Sequence, residues 1–565
     1  MINNRIRALR NKIKKYNIDG YIVPKNDEFF SEYAAHDRLK VISNFSGSAG
    51  LAIILKKQNY LFVDGRYTIQ ANQQSGKNFK IIETHEFLPK NIMRNYVLGY
   101  DPSLFTSSQI NHYFGNELKL KRIEKNLIDE IYSKKLIKKN LFFSLNNNVA
   151  GESHLSKIKR IKKILNKKKA DYLFISAPEN VAWTLNIRGW DSPNSPVPNC
   201  RLIIESNGKI YLIANKNKTT KLVQEKRLTK NQIVEPEKFG ELINKLKGQN
   251  FIIDKLTCSE LNESFIKSKF KIINNNDPCY KLKSIKNPSE IKHSINAHIK
   301  DGVALTKFIF WIKNLKSKKI TEMDAEKKLE KFRKLDKNYL KPSFNTIAGT
   351  GPNAALPHYR ATKKTNRHIK KNDIFLCDSG GQYEYGTTDV TRTLCFSKPK
   401  KRIQDIFTKV LKGHIAVATS DLNKFDTGKK IDVRARQFLK KEGLDYEHGT
   451  GHGVGFFSNV HEGPQSISKN NNIKLEKGMI VSNEPGYYEK NHFGIRIENL
   501  VFIGKDKNKL CFKNLTLAPI DKELINFKLL NRNENKYLSK YHLEVYSKIS
   551  KYLNVKEKNW LASFF

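Results

Sequence analysis

The sequence contains no apolar run long enough to cross a bilayer, so a helical membrane protein is not expected. Its 6 cysteines (Cys200, Cys258, Cys279, Cys377, Cys395, Cys511) are scattered, with no CxxC pair. That excludes a disulfide-stapled secreted scaffold and fits a reducing cytoplasm. Acidic residues are in deficit, 55 Asp and Glu against 103 Lys and Arg, a formal charge of +48. Such a balance invites polyanions. Yet lysine runs along the whole chain together with Asn and Ile, and the densest stretches, Lys157 to Lys169 and Lys398 to Arg402, lack the interleaved aromatics that stack bases. The lysines are therefore expected to form solvated faces, with neither a specific nucleic acid nor a membrane as partner. The N-terminus also lacks a signal-peptide core. Ile2, Ile6, Leu9, Ile13 and Tyr16 recur at helical spacing with charges between them, which predicts an amphipathic helix. An acid-free, basic start can imitate an organelle presequence, but this one carries little serine.

What is present is core material for several domains: 565 residues, 39% hydrophobic, with 32 Phe and 23 Tyr. The opening helix, GYIVP, GLAIIL after the turn FSGSAG, and YLFVDGRY alternate as an α/β unit with a mostly parallel sheet. The pattern restarts near His154: a lysine-rich helix from Ser156 to Lys169, DYLFIS, a helical ENVAWTLNI, then RLIIES and KIYLIAN around an Asn207-Gly208 hairpin turn. From Pro288 two helices (about 288–315 and 322–335) precede a Gly-rich, strand-rich region, and a strand–helix tail ends in NWLASFF, an apolar terminus expected to dock. The expected fold class is α/β and α+β multidomain, with boundaries at 1–150, 151–285, 286–504 and 505–565.

Three segments carry chemistry. In IFLCDSGGQYEYGTTDVTRTLCF, two strand-like runs would form a hairpin that sets Asp378 beside Asp389. Paired buried carboxylates ask for a cation, although Asp also commonly caps turns. In EHGTGHGVGFFSNVHEGP, the glycines at 449, 451, 453 and 455 disfavour a helix, and even spacing would put His448 and His452 on one face of an extended stretch, with His461 beyond. A phosphate cradle finds no GK[ST] or βαβ acid downstream. In MIVSNEPGYY and FGIRIENLVFI, Glu484 ends one strand, and alternation points Arg496 and Glu498 the same way, either as a surface salt bridge or as a supported interior carboxylate. Asp378, Asp389, His452, Glu484 and Glu498 form an oxygen-dominated set suited to two divalent ions, Mn²⁺ foremost with Zn²⁺ or Co²⁺ as alternatives. Such ions would share a hydroxide and supply a nucleophile at neutral pH.

The order Asp378, Asp389, HGTGHGVG, NEPGYY, GIRIEN resembles the pita-bread metallopeptidases, and DSGGQYEYGTTDVTRT, GLDYEHGTGHGVG, NVHEGP, HDRLKVISNFSGSAG and VDGRY resemble the cytosolic three-domain aminopeptidase P proteins nearly end to end. The resemblance implies two creatinase-N-like α/β domains, a pita-bread catalytic domain and a C-terminal extension. It also implies a cytoplasmic, homodimeric, proline-specific metallo-aminopeptidase acting on peptides with proline in second position. Asp378 would chelate one ion, His452 and Glu484 the other, and Asp389 and Glu498 both. Glu484 would shuttle the proton to the departing proline nitrogen. His358 and His461 would line the substrate site and stabilise the oxyanion, His448 would flank it, Arg496 would support Glu498, and Arg66 would contact substrate. Around His358, Pro357 and Arg360 depart from the more usual apolar surroundings. A prolidase-type Xaa-Pro dipeptidase and a catalytically inactive pita-bread binding protein are the alternatives; the first would reject tripeptides, and the second would have no reason to retain five metal-binding side chains.

Overall fold

The computed structural model describes residues 2–132, 140–315 and 319–565. By internal contacts the chain divides into two units, Met1–Asn147 with Glu152–Cys279, and Asn148–Gly151 with Tyr280–Phe565.

The first unit contains two copies of one design. Helix α1 (Ile2–Lys15) buries Ile6, Leu9 and Ile13, the stripe its spacing predicts. Strands β1 (Gly20–Pro24), β2 (Leu51–Leu55), β3 (Asn59–Val63), β4 (Lys80–Glu83), β5 (Val97–Tyr100) and β6 (Lys119–Arg122) form a sheet ordered β4-β3-β2-β1-β5-β6. In the second copy, the lysine-rich helix α2 (His154–Lys167) precedes β7 (Tyr172–Ile175), β8 (Arg201–Glu205), β9 (Ile210–Ile213), β10 (Ile233–Val234), β11 (Asn250–Ile253) and β12 (Lys271–Asn274), ordered β10-β9-β8-β7-β11-β12. The permutation is the same, as is the pattern of directions. The sheets are mixed, with an antiparallel three-stranded meander at the centre and parallel strands outside. Three of the five pairings in each sheet are parallel, as the alternation predicts, while the centre is antiparallel because only residues 56–58 join β2 to β3, too few for a crossover. Gly208, at φ +99°, makes the tight turn between β8 and β9. The copies meet where an equivalent helix starts in each, with the Glu260 N–H donating to the Phe105 carbonyl at 2.7 Å.

The second unit begins in α3 (Pro278–Ser284) and continues with α4 (Pro288–Lys313), capped by Asn287 and Glu290, and α5 (Glu322–Arg333). A three-stranded sheet of β13 (Ile347–Thr350), β14 (Ile374–Ser379) and β15 (Val390–Cys395) follows, then α6 (Lys401–Ala418) and α7 (Gly428–Lys440). The five-stranded sheet runs β17-β16-β18-β21-β22, from β16 (Gly451–Gly453), β17 (Glu462–Ile467), β18 (Ile480–Asn483), β21 (Asn499–Asp506) and β22 (Lys509–Asn514), with the hairpin β19 (Gly486–Glu489) and β20 (Phe493–Arg496) apart. The tail forms α8 (Arg532–Ile549) and α9 (Val555–Ala562). Its aromatic end docks: the Trp560 ring meets Phe310 of α4 at 5.6 Å, and Leu561 is fully buried.

Candidate metal centre

Asp378 lies in β14, and Asp389 stands one residue before β15. The two strands pair antiparallel with Ser379 opposite Val390, so the hairpin sets both carboxylates on one end of the sheet. Between β17 and β18 runs β16, only three residues long and very tightly flanked. A Cβ on Gly451 would lie 1.9 Å from the Ser482 carbonyl oxygen and one on Gly453 2.2 Å from that of Glu462, so the glycines around His452 are required by backbone approach.

His452 enters with its tautomer fixed. Nδ1 lies 2.8 Å from the Gly453 carbonyl, which can only accept, so Nδ1 carries a hydrogen and the neutral ring, the form that can bind a cation, presents its lone pair at Nε2. That lone pair faces Asp389 Oδ2 at 3.4 Å and Glu484 Oε1 at 3.6 Å. Three ligand atoms converge there, an arrangement a cation completes. One ligand atom each from Asp389, His452 and Glu498 fall within 4.8 Å of one another. Glu484 follows β18, where its N–H donates to the Thr450 carbonyl at 2.8 Å and its Oε1 accepts from Ser482 at 3.0 Å. Glu498, between β20 and β21, is 1% exposed and accepts from the Thr391 hydroxyl at 2.7 Å.

The electrostatics of these acids are unbalanced. Burial pushes Asp389 well above the ordinary carboxylate range, and Asp378 and Glu484 push it further. Burial does the same to Glu498, reinforced by Asp389, Glu484 and Asp378. Burial also raises Glu484, against the opposing pull of His452 and Arg496. Among the described residues, Asp378 Oδ1 and Asp389 Oδ1 are buried without a hydrogen-bond partner. Orphaned carboxylate oxygens, mutually repelling acids and an imidazole lone pair aimed among them fit divalent cations.

Among the described residues, Arg496 is the arginine or lysine in ion-pair contact with these acids. Its Nη2 donates to Asp378 Oδ2 at 2.5 Å, and its Nε to the Thr391 hydroxyl at 3.0 Å, which in turn donates to Glu498. The expected support of Glu498 by Arg496 thus runs through the Thr391 hydroxyl. Arg496 Nη1 also donates to the Tyr488 hydroxyl at 2.5 Å, and that hydroxyl, which burial raises to about 12, donates to His448 Nε2 at 2.8 Å. His448 therefore does not share a face with His452: β16 begins at Gly451, and His448 lies in the preceding loop, turned onto Tyr488. His461 is exposed, its ring 4.1 Å from that of His452. His358 is exposed beside Pro357, whose carbonyl accepts from Arg496 Nη2 at 3.3 Å. Arg66 belongs to the first unit, where its guanidinium forks onto Asp64 at 3.0 and 2.8 Å.

Sequence reasoning missed Thr391, Tyr488 and Ser482, though DVTRT and NEPGYY carry the first two in plain view. It also missed Arg392, whose guanidinium donates to the Glu498 carbonyl at 2.6 Å, to the carbonyls of Ala518 and Pro519 at 2.8 and 3.0 Å, and to the Tyr541 hydroxyl at 2.8 Å. A second cluster went unnoticed as well: ligand atoms of Cys395, Asp521 and Glu523 also lie within 4.8 Å of one another.

Residues 293–505 match Metallopeptidase family M24, residues 5–130 and 133–290 each match a Creatinase/Prolidase N-terminal domain, and residues 508–563 match the C-terminal region of the M24 peptidases. The chain is 36% identical to a probable Xaa-Pro aminopeptidase P of Laccaria bicolor, covering 99% of this chain and 92% of that protein, and 35% identical to a Coprinopsis cinerea protein described likewise, covering 97% and 95%. The crystal structure of an X-prolyl aminopeptidase from Caenorhabditis elegans, described as a cytosolic enzyme with a di-nuclear active site, superposes with a TM-score of 0.91 at 30% identity over 100% of this chain and 99% of that one. Prolidase from Pyrococcus furiosus matches 63% of this chain and 98% of its own at 26% identity and a TM-score of 0.51.

Proposed function

Because the chain belongs to the Xaa-Pro aminopeptidases of metallopeptidase family M24, we propose that it releases the first residue from peptides with proline in second position, using Asp378, Asp389, His452, Glu484 and Glu498 to hold two divalent cations, Mn²⁺ first among them. Bound there, such ions supply Lewis acidity and lower the pKa of water to give a nucleophile at neutral pH. The protein's own groups do the rest. The peptide bond before proline has no N–H, so a site that bonded that amide would gain nothing, whereas a group that hands a proton to the leaving nitrogen is indispensable. Glu484 suits that task, since burial raises its carboxyl. His461 and His358 are exposed, reach an incoming peptide, and donate to the carbonyl oxygen as charge develops on it. His448, committed to Tyr488, flanks the site, and Arg496 holds Asp378 in place. Arg66, which the resemblance would have contact the substrate, is held on Asp64 within the first unit.

The unbalanced acids facing the His452 lone pair are the observation that carries this reading; the end-to-end likeness to Xaa-Pro aminopeptidases supports the proline preference. We place the protein in the cytoplasm, in keeping with the cytosolic relative. We also assign it a homodimeric state, supported by Phe527, Leu529, Leu543, Tyr552, Val555 and Phe565, apolar and exposed in the C-terminal region; a monomeric mass by light scattering at micromolar concentration would remove that assignment. The functional test is release of arginine from Arg-Pro-Pro, Arg-Pro and Arg-Ala-Ala by metal-stripped protein resupplied with Mn²⁺, alongside Glu484→Gln. Cleavage of the Xaa-Pro substrates including the tripeptide, lost in the variant, is expected; cleavage of the dipeptide alone would make the protein a prolidase, and no cleavage under any metal would make it a binding protein.

A further inference from the structure

The segment carrying His461 is irregular yet held at both ends. In the β16–β17 pairing, His452 faces Ser466 while Gly453 faces Glu462, so the register slips next to His461 and no regular ladder fixes it. Upstream, Phe457 takes φ 45°, a conformation costly for a bulky residue and kept only where the surroundings impose it. Buried Gln382 and Thr387 impose it here: Gln382 Nε2 donates to the Ser458 carbonyl at 2.9 Å, and the Ser458 N–H donates to the Thr387 hydroxyl at 3.2 Å.

Downstream, the residue next to His461 is clamped more firmly. The two oxygens of Glu462 each receive an ammonium, Lys283 Nζ at 2.7 Å on Oε2 and Lys286 Nζ on Oε1. The three side chains are 1%, 5% and 0% exposed respectively. Burial pushes the Glu462 carboxyl up, but the two lysines more than reverse it and leave it below its ordinary value. Lys286 is itself anchored, its N–H donating to the Gly478 carbonyl at 3.0 Å and its Nζ to the Lys283 carbonyl at 3.0 Å. A structural staple between α3 and β17 would be served by one lysine or by apolar packing. Two ammonium ions on the two oxygens of one carboxylate fix the rotation of that carboxylate as well as its position, and burying them is costly.

We propose that Glu462, clamped by Lys283 and Lys286, is a positioning residue that sets the imidazole of His461 for the peptidase reaction, a role that rests on the assignment of His461 above. A reacting geometry displaced by about 1 Å can cost about 100-fold in rate, so a device of this kind is felt in turnover before it is felt in substrate or metal binding.

The test uses the full chain with Mn²⁺ and Arg-Pro-Pro. Glu462→Gln is expected to lower kcat about 10-fold with KM and bound Mn²⁺ unchanged, and to add less than about 2-fold in a His461→Ala background, because a residue acting through His461 has nothing left to act on. Since Glu462→Gln strands two buried ammonium ions, the triple replacement Glu462→Leu, Lys283→Met, Lys286→Met provides a neutral, packed alternative. It should fold and show the same loss in kcat. Wild-type kcat in the triple variant, or an undiminished effect of Glu462→Gln in the His461→Ala background, overturns the proposal. Wild-type kcat in His461→Ala alone overturns it too while leaving the metallopeptidase reading to Glu484→Gln; an inactive wild-type protein would strike that reading itself and this proposal with it.

Discussion

Strand β15 has a cluster of metal-ligand type at each end. At its start, Asp389 meets His452 and Glu498; at its finish, Cys395 meets Asp521 and Glu523. Both sets bring three ligand atoms within 4.8 Å of one another. They differ in charge. At the second, Lys313 Nζ sits 2.7 Å from Asp521 Oδ2 and 3.0 Å from Glu523 Oε2, and its ammonium is held above its ordinary pKa, burial being outweighed by Asp521. At the first, Arg496 occupies Asp378, and the remaining acids are forced toward protonation. A site for a cation is therefore marked by missing charge, since the spacing of ligand types is common to both ends.

Four experiments bear on that contrast. Asp389→Asn should cost more than the 10- to 100-fold typical of outer-shell changes at metal sites, so activity on Arg-Pro-Pro should fall by more than about 100-fold, with bound Mn²⁺ per chain reduced by elemental analysis. Lys313→Met should destabilise by about 3–5 kcal/mol, seen as a lower urea midpoint with unchanged m, because Asp521 keeps a buried charge without its cation. Little stability loss there would mean the second cluster does not need its lysine. The third is a pH series with and without chelator. A carboxyl whose folded pKa is raised contributes stability that is fully present below its unfolded pKa and lost as pH rises through the folded value. In the chelated protein, Asp389, Glu484 and Glu498 should thus lower Tm as pH rises above about 4, and Mn²⁺ should restore more at about pH 8 than at about pH 5. A chelator effect independent of pH would show that these acids are balanced without an ion. The smallest effect is expected from Cys395→Ser, about 1 kcal/mol in the urea midpoint with bound Mn²⁺ unchanged; an ion lost from that variant would erase the distinction between the two ends.

Local patterns carried much of the fold. The period of α1, the Asn207-Gly208 turn and the Asp378–Asp389 hairpin all follow from short-range chemistry, and so they were legible in the sequence. The centre was legible differently. Its ligand residues stood out through motif order, but their wiring did not, because it depends on pairings across the chain. Arg496 lies two residues from Glu498 yet bonds Asp378, 118 positions away, and Lys313 meets Asp521 across 208. His448 and His452 have the spacing of one strand face, but β16 is too short to include both, since the close approach of β17 and β18 ends it within three residues. No periodicity within a segment reports such distant constraints.

The C-terminal helices also bear on where this molecule can be divided. Family likeness stops at residue 505 and resumes at 508, which suggests a removable appendage. Arg392 ignores that seam, because it grips the Glu498 carbonyl with one nitrogen and the carbonyls of Ala518 and Pro519 and the hydroxyl of Tyr541 with the others. A chain cut at the seam would leave a buried guanidinium with half of its six acceptors gone, only those of Thr391, Glu498 and Asn499 remaining, directly behind Glu498. The smallest piece that can be expected to keep the metal centre therefore runs through α8, and a homologue lacking that tail must hold its arginine, or its glutamate, in some other way.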